Sequence, residues 1–177
     1  MEILLYIFFV IKMYWYKFIW IFNEKKKGLN VNSINNKGNT PLIELYYNKY
    51  NISLNRYTSI LINKGANINL VNNQEETAFF VSCKIGNYEV ASELLKYGAN
   101  PYLKDNENNL VIYIFTKYIC TYEDYYNKLK TLDLLLDFGY DINEKSKDGK
   151  TLLIVLCYYN NIFVVSYYIG NGANNYI

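Results

Sequence analysis

Two acidic pairs and three thiols are the first groups to weigh for chemistry in this sequence, because histidine is absent from it. Without histidine there is no Ser-His or Cys-His nucleophile pair and no mixed Cys/His zinc site. The paired carboxylates, Glu75-Glu76 and Glu123-Asp124, fall in polar turn-like stretches. Acids there are usually solvated, whereas acid-base catalysis needs a pocket that shifts their protonation. Cys83, Cys120 and Cys157 are odd in number and form no C-x-x-C pair. Each sits in an apolar helical run, which suits a small core residue in a reducing compartment. No G-x-x-x-x-G-K-[ST] or G-x-G-x-x-G phosphate loop is present. The expectation is therefore a non-enzymatic chain with no metal and no cofactor.

The elements that would position any site are set by a recurring stop signal. "ILINKGANIN", "ELLKYGANPY", "LLLDFGYDIN" and "YYIGNGAN" each end an apolar run on glycine, the residue that takes the left-handed helix cap without a Cβ penalty. The cap glycines are Gly28, Gly65, Gly98, Gly139 and Gly172. They are spaced 37, 33, 41 and 33 residues apart. Twelve residues after each of the first four comes a helix start: Thr40, Thr77, Leu110 and Thr151. All length variation thus lies between start and glycine, and a fixed register on a base period of 33 marks a solenoid array.

Each unit reads as two short helices. In "TAFFVSCKIGNYEVASELLKYG" the first runs from about Thr77 to Lys84, the turn is Ile85-Gly86-Asn87, and the second covers about Tyr88 to Lys96. Thr77 and Thr151 suit a helix N-cap, and Pro41 suits a first helical turn. Neither helix can bury its apolar face alone, so the units must stack. With 51% apolar residues, the chain has enough material for the core that stacking creates.

These motifs resemble the ankyrin repeat. "NNKGNTPLIEL" and "KDGKTLLIVL" match the first half of its D-x-x-G-x-T-P-L-H-x-A-A pattern, and "IGNYEVASELLKYGANP" matches its second half. The resemblance covers residues 28–177, in units starting near 35, 72, 105 and 146. It implies an all-α solenoid of helix-turn-helix units joined by β-hairpin-like loops, or fingers. The histidine of the family pattern is replaced by Ile43, Phe80, Tyr113 and Ile154, so the bracing it provides has to come from packing. Two units are lengthened, near "NKYNISLNRY" and "CTYEDYYNKLK", both at the turn between their helices. The second insertion is expected either to project Tyr122, Tyr125 and Tyr126 as an aromatic knob or to lengthen the helix pair.

Function follows from the resemblance rather than from any motif of catalysis. Ankyrin arrays bind protein partners across a concave surface made of fingers and inner helices. Here the finger tips are expected at Asn36, Lys37, Gln74, Glu75, Asn106, Glu107, Lys147 and Asp148. "LLDFGYDIN" also resembles the Leu-x5-Asp-apolar-Asn pattern of asparaginyl hydroxylation, with Asn143 as acceptor and Leu135 and Asp141 as read positions. The expected partner is a protein of unspecified identity. Net charge is only +2, so nucleic acid is not indicated. A monomer in an intracellular, cytoplasmic setting is expected.

Residues 1–27 leave two readings open. "ILLYIFFVIKMYWYKFIWIF" (3–22) has the length of a membrane span followed by Lys25-Lys26-Lys27. Lys12 near its middle would cost about 2.5–3.5 kcal/mol on insertion scales. The other reading is a degenerate first repeat starting near Ile7. A membrane-tethered adaptor, or a piece of a larger ankyrin protein whose effector domain lies elsewhere, are the alternatives to a free binding scaffold.

Overall fold

The computed structural model describes residues 30–47, 54–106, 125–146, 148–158 and 162–173. Within them lie seven helices and no extended strand: α1 (Pro41–Tyr47), α2 (Leu54–Asn63), α3 (Ala78–Lys84), α4 (Tyr88–Lys96), α5 (Tyr125–Asp137), α6 (Leu152–Tyr158) and α7 (Ile162–Gly170). The helix start at Leu110, the third finger beyond Asn106, Cys120, Tyr122, Glu123-Asp124 and both readings of residues 1–27 lie outside the described residues. Among the described residues, no helix is long and apolar enough to cross a membrane.

Local chemistry fixes many of the helix ends. The Oγ1 atoms of Thr40, Thr77 and Thr151 accept from the backbone N–H groups of Ile43, Phe80 and Ile154 at 3.3, 3.1 and 3.5 Å, satisfying first-turn donors that a helix leaves unpaired. Asn87 caps α4 the same way, accepting from Val90 N–H at 3.1 Å. The second helices all end in one motif. Gly65 N–H donates to Ile62 O and Ala66 N–H to Leu61 O, and the same pair recurs at Gly98-Ala99, Gly139-Tyr140 and Gly172-Ala173. This is the Schellman cap, and φ between +85° and +91° at the four glycines explains why that residue recurs.

Stacking then buries what the caps align. α1 packs on α2 and α3, α2 on α4, α3 on α4, α4 on α5, and α6 on α7. Two rows result, with α1 and α3 on the inside and α2, α4 and α5 on the outside. Leu42, Ile43, Leu45, Tyr46, Leu61, Phe79, Phe80, Val81, Cys83, Val90 and Leu94 form the core between them. Ile43 and Phe80, which stand where the family pattern has histidine, are buried, so packing does replace that residue in the first two described units. Tyr46 keeps its phenol satisfied by a 2.7 Å hydrogen bond with Thr58 Oγ1, and burial holds its ionisation far above the ordinary tyrosine range.

One expectation is corrected: Cys83 is a core thiol, but Cys157 is exposed near the end of α6. Tyr125 and Tyr126 open the 13-residue helix α5, so of the two readings of the third unit's insertion the structure favours the lengthened helix.

Candidate protein-binding face

Three fingers are described, and each is closed by the same two backbone bonds. Asn35, Asn72 and Ser146 donate N–H to the carbonyls of Asn39, Glu76 and Lys150, and accept from the N–H groups of Gly38, Glu75 and Gly149. Single antiparallel bridges, Val71 with Thr77 and Lys145 with Thr151, join the two arms of two of these fingers. Asn35 Oδ1 accepts from Lys37 and Asn39 N–H, and Asn72 Oδ1 from Gln74 and Glu76 N–H, so each asparagine folds the finger it begins.

Glycine holds the positive-φ corner in two fingers, Gly38 at +74° and Gly149 at +72°, but Glu75 holds it in the second at +59°. A side chain there costs about 1–2 kcal/mol. Glu75→Gly is therefore expected to stabilise the array by about 0.5–1 kcal/mol, after the larger entropy that glycine loses on folding. A urea midpoint at or below that of the parent chain would contradict this.

Adjacent fingers are bonded into a row. Asn73 N–H donates to Lys37 O at 3.1 Å, Asn73 Nδ2 to Asn36 O at 3.2 Å, and Asn106 N–H to Gln74 O at 3.0 Å. The expected tip residues Asn36, Lys37, Gln74, Glu75 and Asn106 are thus brought side by side, all exposed. Asp148 is exposed on its own finger, with no bond to that row among those described. Glu107 and Lys147 lie outside the described residues.

A second ladder runs behind the cap glycines. Asn32 Nδ2 donates to Gly65 O, and Asn32 Oδ1 accepts from Asn67 N–H at 2.7 Å. Asn69 Oδ1 takes Asn100 N–H at 2.8 Å, and Asn143 Nδ2 donates to Gly172 O at 3.2 Å. Asn143 is therefore a rung between units. One register breaks the pattern with Tyr102, whose ring stacks on Tyr140 at 5.4 Å between centroids. Their hydroxyls donate to the carbonyls of Phe138 and Pro101 respectively.

The residues that sequence reasoning missed lie between fingers and inner helices. Glu76, read as a solvated turn acid, is 3% exposed. Its Oε2 accepts from Tyr47 OH at 2.5 Å and Asn72 Nδ2 at 3.0 Å, and its Oε1 from Lys84 Nζ at 2.8 Å. Burial alone would raise its ionisation, but the donors Lys84, Tyr47 and Asn72 outweigh burial and hold the carboxyl below the usual range. Burial and the neighbouring carboxylate together push the Tyr47 phenol well up. From Asn72 the network continues to Asn39 Oδ1 at 3.1 Å, and Asn39 Nδ2 and Asn35 Nδ2 both reach Glu44 Oε2. One buried carboxylate thus ties the ends of α1 and α3 to a finger base.

Around it the surface is partly apolar. Ile34 and Val71 precede Asn35 and Asn72 at the finger bases and are exposed, as is the edge of Tyr47. A register signal existed: Tyr47 and Lys84 are each seventh after their capping threonine, as is Tyr158. Among the described residues, no acidic, cysteine or histidine cluster is arranged to hold a metal ion.

Comparison with known proteins agrees with this geometry. Residues 16–105 match the family model for ankyrin repeats in three copies. An ankyrin repeat protein of Acanthamoeba polyphaga mimivirus is 40% identical over 89 residues, 48% of this chain and 54% of that protein. The serine/threonine-protein kinase TNNI3K of Mus musculus is 30% identical over 109 residues, 59% of this chain but 12% of the kinase. The chain thus spans about half the length of its viral relative and a small part of the kinase. Repeats of this type are generally non-enzymatic protein-interaction modules. With half of its length matched and the caps, fingers and helix pairs in register, the chain belongs to the ankyrin-repeat family.

Proposed function

We propose that this array is a non-catalytic scaffold that binds a protein partner on its inner face, in the groove between the finger row and the ends of α1 and α3. The carrying observation is the Glu76 network, which fixes that groove while leaving Ile34, Val71 and Tyr47 open beside it. Apolar and aromatic side chains on a rigid support are the usual anchors of protein interfaces. The tips Asn36, Lys37, Gln74, Glu75, Asn106, Glu107, Lys147 and Asp148 supply a polar, mixed-charge rim. Free thiols at Cys83 and Cys157 support an intracellular setting. Hydroxylation at Asn143 would act on the rung that this amide makes to Gly172.

A photo-crosslinking residue placed at Val71 in cells is expected to trap a discrete protein band. The same residue at Glu89, exposed on α4 of the outer row, is expected to trap none. Equal trapping at both positions, or trapping only at Glu89, would remove the inner face from the interface.

A further inference from the structure

At the base of each finger, six residues after a cap glycine and six before the next helix start, stand Ile34, Val71, Lys104 and Lys145. The bridges of Val71 to Thr77 and of Lys145 to Thr151 give this register one backbone placement. Asn106, two residues beyond Lys104, bonds to Gln74 O as Asn73, two beyond Val71, bonds to Lys37 O. Lys104 therefore holds the same place on the third finger. Strand-like alternation turns the next residue inward: Asn72 and Asp105 are buried, whereas all four residues of this register are exposed, Ile34 and Val71 at 66% and 43%.

The four form one file across the units. Asn32 and Asn69 span the first two junctions, and the Tyr102–Tyr140 stack spans the third. Halfway along, the file changes character, from two apolar side chains to two ammonium groups. Neighbouring charges keep that contrast. Beside the apolar half, Lys37 and Glu75 offset each other and Glu44 is held by Asn35 and Asn39. Beside the cationic half, exposed Lys150 offsets Asp148, while Asp105 and Glu144 fall on the opposite side of the alternation from the lysines they flank.

We propose that the inner groove takes a polyproline II segment of the partner, with apolar side chains over Ile34 and Val71 and acidic ones over Lys104 and Lys145. This rests on the reading of the inner face as the binding surface and adds the chemistry of what it binds. Spacing selects the conformation. Packed helices stand about 8–10 Å apart, and a polyproline II chain, with three residues per turn and a rise of about 3.1 Å, presents the same face about every 9.3 Å. One side chain in three thus meets each unit in turn. Charge complementarity selects acids at the second pair of positions. A nucleic acid, charged along its whole length, would set phosphates against Ile34 and Val71.

The test is selection of a random decapeptide library, displayed on phage, against the full chain. Enriched peptides are expected to share two apolar positions and two acidic ones in steps of three residues. Their affinity is expected to fall about tenfold on Lys104→Glu/Lys145→Glu, and that variant is expected to select basic residues at the former acidic positions. Both lysines are exposed, so the variant is expected to keep the parent's circular dichroism. Enriched peptides without acids, or with unchanged affinity for the charge-reversed chain, would overturn the proposal. If Val71→Arg still abolishes their binding, the inner-face reading survives that failure; if it does not, both fall. An empty selection overturns the proposal and leaves crosslinking at Val71 to decide the inner face. Displacement of the acidic peptides by a short oligothymidine would give the lysines to phosphate and overturn it as well.

Discussion

Glu76→Ala is expected to destabilise the array by about 2–3 kcal/mol, although it removes only one side chain from a loop. The carboxylate accepts from three donors on three different elements. Removing it leaves Asn72 buried with a donor unmatched, at a cost of about 1–3 kcal/mol, and strips the charge-assisted hydrogen bonds from Tyr47 and Lys84, donors that water can partly satisfy. Lys84 is partly exposed and regains water, which keeps the total below the cost of a fully buried broken pair. Because the folded state depresses the Glu76 ionisation, its contribution is present above the unfolded carboxyl value near pH 4.3 and is lost as pH falls through the folded value. Urea denaturation at pH 7 and at pH 3 checks both claims. The parent and Glu76→Ala midpoints should differ clearly at pH 7 and by less at pH 3. An unchanged gap would mean the carboxylate is not what holds the network.

Gly38→Ala is expected to cost about 2–4 kcal/mol, whereas Gly65→Ala should cost only about 1–2 kcal/mol. Both glycines have φ in the left-handed region, so both substitutions carry the same backbone strain. They differ in what a Cβ would meet. At Gly65 nothing lies within 4 Å, but at Gly38 the Cβ would sit 2.7 Å from Asn73 N and 2.3 Å from its Oδ1. That atom cannot enter without separating the first two fingers and lengthening the Asn73 to Lys37 bond. The comparison isolates finger docking from helix capping. Equal losses at the two sites would show that the finger row contributes nothing to stability.

Sequence periodicity made the frame of this fold legible because caps are local. Thr77 to Phe80, Asn87 to Val90 and Gly98 to Leu95 are bonds within one turn, so residue type and spacing determine them. The candidate face was only half legible. Exposed tips such as Asn36 and Gln74 follow from polarity and turn position. Burial of Glu76 depends on Tyr47, 29 residues earlier, and on Lys84, eight later. Nothing in the dipeptide Glu75-Glu76 distinguishes the strained exposed acid from the buried one. Cys83 and Cys157 share a register and an apolar run, yet differ in exposure, because exposure depends on tertiary packing that the local run does not encode. Tyr102 and Tyr140 pair because they face each other across a unit boundary, a relation that composition does not encode.

The asparagine ladder has a consequence for how such an array changes length. Its rungs span one unit, from Asn32 to Gly65, Asn69 to Asn100 and Asn143 to Gly172, and the finger bonds from 36 to 73 and from 74 to 106 do the same. Excising residues 66–98 would bring Gly65 next to Ala99, with Asn100 N–H in the place that Asn67 held against Asn32 and Asn106 N–H facing the first finger. Recombination in whole units therefore leaves each rung a partner, and the 37-residue spacing from Gly28 to Gly65 keeps the Asn32 rung because its extra residues fall between α1 and α2. A step of 33 residues thus conserves the ladder even where it removes a side-chain network such as that of Glu76.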